Sequence, residues 1–208
     1  MLKKEFWEKR HKDSVGRYNR VTDFARFCYY NFMKLRKRAK VLDLGCGKGA
    51  DTIFFHNKEF NVTALDYSTE AIKQFNNTQK RYEIFVSSMV KDISEPLDYE
   101  DESYDFVYAR ASLYYFTKDE LKNIFAEVNR VLKSEGRLMF QVKSINDKSY
   151  GQGKEIEPDM FEDDEGYIRH YFSKEFTNEL LKEFNVTMIE ERKIQNGSAY
   201  LEVIAEKK

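Results

Sequence analysis

The sequence predicts an α/β fold: a doubly wound, mostly parallel sheet with helices on both faces and an antiparallel hairpin at its C-terminal end. Three observations predict it. Strand-length apolar runs alternate with amphipathic, helix-length segments through most of the chain. A glycine turn, "GCGKGA", lies where the first of these strands gives way to a helix. The last two strand candidates are separated only by "QNGS", too short for a crossover, so they pair antiparallel.

The elements follow in order. Residues 2–12 and 22–37 have apolar residues at helical spacing, and in the second segment Phe24, Phe27, Cys28 and Phe32 share a face. "AKVLDLG" reads as a strand, "ADTIFFHNK" as a helix, "NVTALDY" as a strand, and "STEAIKQFNNT" as a helix capped by Ser68. "YEIFVSS" and "YDFVYAR" are the next strands. "TKDELKNIFAEVNRVLK" is a long helix whose Leu121, Ile124, Phe125, Val128, Val131 and Leu132 make one apolar face. "GRLMFQVKS" is a strand and "SKEFTNELLKEF" a helix capped by Ser173; "VTMIEERKI" and "AYLEVIAEK" form the hairpin. With two prolines, no repeat and 208 residues, the chain reads as one domain. Within it, residues 1–38 form an N-terminal helical segment and 39–208 the core. Residues 144–172 are long for a connection and are expected to fold over the site as a lid.

Charged residues make up 34% of the chain, above the usual share of about 25%, and no apolar run is long enough for a membrane helix. The start, "MLKKEFWEKRHKD", is too charged for the apolar core of a signal peptide, so a cytoplasmic protein is expected. Cys28 and Cys46 are isolated and suggest neither a disulfide framework nor a zinc site; no metal is expected. Net charge is −1, yet the residues up to Lys40 are strongly basic and "EIEPDMFEDDEG" is acidic. A basic segment suits an anionic substrate or nucleic acid, or is the solvated side of amphipathic helices. The near-neutral total argues against a dedicated nucleic-acid binder.

The glycine turn fits two readings. Gly45, Gly47 and Ala50 satisfy the dinucleotide fingerprint of a Rossmann-like sheet, in which a pyrophosphate lies at a helix N-terminus. Gly45, Gly47 and Gly49 also satisfy D-x-G-x-G-x-G, the loop of S-adenosylmethionine enzymes. Asp43 separates them: beside a pyrophosphate it adds like charge, whereas it attracts the cationic methionine end of S-adenosylmethionine. Asp66, about twenty residues beyond the first glycine, is placed to accept from both ribose hydroxyls of either ligand. Asp92, after the third strand, is a candidate acceptor for the adenine amino group, with the Ile93 backbone reading the ring edge.

With these residues in view, "VLDLGCGKG", "VTALDYS", "VKDISEPL", "YDFVYARASLYYF" and "EVNRVLKSEGRLMFQV" resemble, in order, the signature stretches of class I S-adenosylmethionine-dependent methyltransferases. The resemblance covers about residues 40–142. Within the class the chain is most similar to small methyltransferase-domain proteins of the tellurite-resistance type. The resemblance implies S-adenosyl-L-methionine as cofactor, with Asp43, Gly45 and Gly47 at its methionine end and Asp66 on the ribose. It further implies that Tyr67 flanks the adenine, that Asp92 and Ile93 read its edge, and that the backbone near Ala109 and Arg110 lies beside the methionine amine.

Methyl transfer from a sulfonium is an in-line displacement that needs alignment and exclusion of water, and a base only if the acceptor must lose a proton. "ARAS" stands where amino-group methyltransferases acting on adenine or glutamine carry Asn/Asp-Pro-Pro-Tyr/Phe, which argues against those acceptors. Tyr115 is the expected aromatic wall of an acceptor pocket, facing the sulfonium. His170 is the histidine expected near the active end, as base or as a loop hydrogen bond, since His11 falls in the first helix and His56 in the helix after the glycine loop. Neighbouring Arg169 is a candidate for binding an anionic acceptor. The expected function is methyl transfer to a small-molecule acceptor. The alternatives are an RNA or protein methyltransferase docking through the basic N-terminal segment, an NAD-type oxidoreductase disfavoured by Asp43, and a non-catalytic adenosine-ligand binder.

Overall fold

The computed structural model describes residues 4–14 and 20–208. Helices α1 (Lys4–Asp13) and α2 (Asp23–Cys28) precede strand β1 (Lys40–Leu44), followed by α3 (Ala50–His56), β2 (Asn61–Asp66), α4 (Thr69–Tyr82), β3 (Ser87–Val90) and β4 (Tyr104–Arg110). The second half runs α5 (Lys118–Val131), β5 (Leu132–Lys143), β6 (Lys154–Glu157), β7 (Met160–Glu162), β8 (Ile168–His170), α6 (Lys174–Leu180), β9 (Phe184–Lys193) and β10 (Ala199–Lys207). Among the described residues, no helix is long and apolar enough to cross a membrane.

Seven strands form one sheet in the order β3-β2-β1-β4-β5-β10-β9, and only β10 runs against its neighbours. The chain steps outward from β1 to β3, then returns to lay β4 beside β1. Helices leaving β1 and β4 therefore depart in opposite directions, and a crevice opens at the carboxyl ends of these strands. Alternation along the strands sorts the core into two layers. Val41, Phe106 and Tyr108 join Phe24, Cys28, Met33, Phe55 and Phe75 on one face. Leu42, Leu44, Val107 and Ala109 join Leu121, Phe125, Val128 and Leu180 on the other.

Local chemistry sets the helix starts. Ser68 accepts from the Ala71 N–H, Ser173 from the Phe176 N–H, and Thr117 with Glu120 forms a capping box at α5. Three regions differ from the sequence reading. The helix expected over 22–37 is α2 followed by a π turn, Tyr29–Met33. The wider turn keeps Met33 buried in the same layer as Phe24 while Tyr29 packs its ring on Phe54 and Phe60. The third strand begins later than "YEIFVSS" suggests, because α4 continues to Tyr82 and the Gln79 side chain takes the Val86 N–H at 2.6 Å. Residues 144–172, for which no strands are expected from the sequence, contain β6, β7 and β8, which pair as a small antiparallel sheet tied to the core where Ser144 bridges Phe172.

Candidate active site

A cavity of about 950 Å³ lies at the carboxyl ends of β1, β2 and β4. That is near the upper end of the usual range for small-molecule sites, about 300–1,000 Å³, and leaves room for a nucleoside-sized ligand and a second small molecule.

Asp43 shares its strand face with Val41, so strand alternation drives a carboxylate into the core; it is 2% exposed. Thr52, in the first turn of α3, donates Oγ1 to Asp43 Oδ2 at 2.6 Å. Burial pushes the Asp43 carboxyl up to about 8; the Thr52 bond opposes that, and the charges of Asp51 and Asp66 add to it. The turn that follows is pressed between two elements. Gly45 has φ +78°, and a Cβ there would lie 2.4 Å from the Ser112 Cβ. Gly49, φ +79°, would meet the Phe75 ring at 2.3 Å. Only glycine fits either position, so the turn packs closely against Ser112 and Phe75 while Gly45, Cys46, Gly47 and Lys48 line the cavity.

Asp66 ends β2 and is 8% exposed. Its Oδ2 accepts from the Gly47 N–H at 2.7 Å and its Oδ1 from the Ser68 N–H at 2.8 Å, clamping the glycine turn to the start of α4. Burial raises its carboxyl, and the Ser68 and Gly47 N–H groups act against the rise.

Helix α1 lies across the mouth of the cavity without burying any of its own residues. The Glu8 carboxylate accepts from the Thr69 and Glu70 N–H groups at 2.7 and 2.8 Å, filling the N-terminus of α4. Gln74 donates to the His11 carbonyl at 2.9 Å. Trp7 meets Tyr115 edge-on at 4.7 Å, and Phe6 meets Tyr167 edge-on at 4.4 Å. The N-terminal segment is fixed a second time below the cavity: Asp51 accepts from the Thr22 N–H, the Thr22 hydroxyl and the Tyr108 hydroxyl, all at 2.8 Å.

Of the residues singled out from sequence, Asp43, Gly45, Gly47, Asp66, Tyr67, Ile93, Arg110 and Tyr115 line this one cavity. Asp92 and His170 do not. Asp92 Oδ1 accepts from the Ser94 N–H and hydroxyl at 2.9 and 2.7 Å and so caps its own turn. The His170 ring stacks on Phe176 at 4.7 Å, with Nδ1 3.2 Å from the Phe116 carbonyl. Burial pushes this imidazole down, with the Phe116 carbonyl opposing. It holds the segment that follows Tyr115. Arg169 is paired with Asp163 at 2.9 Å.

Sequence reasoning missed the part of the cover that α1 supplies. His11, set aside as a first-helix residue, lines the cavity with Trp7 and Arg10, and Tyr167 and Tyr200 complete the far wall. The spacing of Trp7 and His11, one helical turn apart on a highly charged helix, was the available signal. The donor set fits an adenosyl cation: a buried acid with one donor for the positive end, a second acid for hydroxyls, and a tight glycine turn between them.

A family model described as a methyltransferase domain matches residues 41–136. An uncharacterised methyltransferase of Synechocystis sp. is 32% identical over 99 residues, 47% of this chain and 43% of its own length. The probable S-adenosyl-L-methionine-dependent methyltransferase TehB of Haemophilus influenzae is 26% identical over 91 residues, 44% of this chain and 31% of its own. The chain thus spans less than half the length of these curated relatives. A solved S-adenosylmethionine-dependent methyltransferase structure from Methanosarcina mazei superposes with a TM-score of 0.75 at 24% identity, covering 91% of this chain and 99% of that one.

Proposed function

We propose that the chain, whose residues 41–136 match a methyltransferase domain, is a class I S-adenosyl-L-methionine-dependent methyltransferase that methylates a small-molecule acceptor by in-line displacement. The observation that carries this reading is the pair of buried acids, Asp43 and Asp66, on either side of a glycine turn in a cavity large enough for two ligands. When bound, the cofactor supplies a methyl group on a sulfonium, whose carbon–sulfur bond breaks as the acceptor lone pair bonds to carbon, leaving a neutral thioether.

The chain's own residues divide the remaining work. Asp43 holds the positive end and Asp66 the ribose, Tyr67 and Ile93 flank the base, and the backbone at Arg110 lies beside the amine. Trp7, Tyr115 and Tyr167 wall the acceptor side and keep water from it. A small acceptor is favoured over a macromolecule because α1 crosses the mouth of the cavity and the basic residues of the N-terminal segment are dispersed. Lys4 lies over Tyr67, Arg26 over Phe54 and Arg36 over Phe106, while Lys37 pairs with Glu59.

Calorimetric titration of S-adenosylmethionine, S-adenosylhomocysteine and NAD into wild type, Asp43→Asn and Asp66→Ala tests the foundation. Binding of the first two alone is expected, weakened by at least about tenfold in each variant. Tight NAD binding indifferent to Asp43 would remove the reading.

A further inference from the structure

The acceptor half of the cavity combines unpaired guanidinium groups with flat aromatic walls. Arg110 ends β4, and its Nε donates to Gln141 Oε1 at 3.3 Å. Gln141, opposite it on β5 and buried, donates its Nε2 to Glu202 Oε1 at 2.8 Å. A guanidinium only donates and a carboxylate only accepts, so the amide is held one way round, its oxygen toward Arg110. Glu202, on β10 and also buried, faces Arg192 Nη1 at 3.6 Å. A polar relay across three strands therefore positions Arg110, which has no carboxylate partner among the described residues.

Arg10 lines the same half from α1. Its guanidinium lies 5.0 Å from the Tyr167 ring centre and 5.9 Å from that of Trp7, again with no carboxylate partner among the described residues. The acids that reach this half do not neutralise the two arginines. Asp51 is occupied by its three donors, and Asp13 and Glu165, which line the cavity and are exposed like the two arginines, form no ion pair with either among the described residues. Guanidinium groups without a carboxylate partner at the edge of a cavity select an anion, and although Arg10 and Arg169 cover the Tyr167 ring, the edge-on Trp7–Tyr115 pair adds an aromatic wall against which a flat ligand packs.

We propose that the methyl acceptor is a small planar aromatic carboxylate, its charge held by Arg110 as positioned by Gln141 and Glu202, with Arg10 closing over it from α1. This rests on the methyltransferase reading above. The test is calorimetry on protein saturated with S-adenosylhomocysteine, titrated with benzoate, salicylate and quinoline-2-carboxylate and with the carboxamide of each. Each variant's own S-adenosylhomocysteine titration sets saturation and reports that it is folded.

At least one carboxylate is expected to bind about tenfold or more tightly than its amide. Arg110→Gln is expected to erase that preference, Arg110→Lys to keep part of it, and Glu202→Gln to reduce it. A merely structural role for Glu202 would leave the carboxylate-to-amide ratio unchanged. Equal affinities, no carboxylate binding, or a preference that survives Arg110→Gln overturns the proposal. Wild type that fails to bind S-adenosylhomocysteine takes down the methyltransferase reading as well; wild type that binds it without preferring carboxylates takes down this inference alone.

Discussion

At the scale of the residue, Asp43 shows how binding chemistry is kept at the expense of stability. Its carboxyl stands at about 8 in the folded protein against an ordinary value of 3.8, chiefly because it is buried. A folded value above the unfolded one means that folding disfavours the ionised form. The associated stability is complete below about pH 4 and is lost as pH rises through about 8. Asp43→Asn keeps an acceptor for Thr52 and removes the titration. Thermal melts are expected to show the variant above wild type at about pH 9 and the two nearly equal at about pH 4. A variant no more stable than wild type at the higher pH would mean that Asp43 is ionised at little cost.

At the scale of the element, α1 is held by its polar contacts more than by burial. Burial raises the Glu8 carboxyl, but the N–H groups of Glu70 and Thr69 more than offset this and hold it below its usual value. Glu8→Ala removes a cap contributed by one helix to another, an interaction of about 1 kcal/mol, equivalent to about fivefold in an opening equilibrium. Hydrogen exchange is expected to quicken in α1 by about that factor, with the melting temperature almost unmoved because α1 buries no residue. Unchanged protection of α1 would show that the aromatic contacts of Phe6 and Trp7 suffice. Elements with their own caps were legible in the sequence: Ser68 and Ser173 each begin a helix where the pattern of small polar residues places it. The π turn and the late start of β3 were not, because packing of Met33 and the long-range bond from Val86 to Gln79 decide them.

At the scale of the whole molecule, cofactor binding and folding are linked. A ligand bound only by the folded protein stabilises it by about 2.7 kcal/mol at a hundredfold excess over its Kd, or about 5–10 °C for a chain of this size. S-adenosylhomocysteine is expected to raise the melting temperature by that amount and NAD to leave it unchanged, as read by calorimetric scanning. A rise with NAD alone would point to the dinucleotide reading of the glycine turn. The sequence by itself determined the sheet, its closing hairpin and the strand-end acids and glycine turn on one side of the cavity. Alternation, glycine conformation and strand-end acids are local properties, and Asp43, Gly45 and Asp66 lie within a short stretch of chain. The opposite wall, where we propose the acceptor binds, was decided only by the tertiary structure. Trp7 and Arg10 of α1, Tyr115, Tyr167 and Tyr200 come from four separate segments, and the relay from Arg110 through Gln141 to Glu202 crosses strands adjacent in the sheet but far apart in the chain. No local periodicity records such a meeting; only the strand order and the docking of α1 bring these side chains to one cavity.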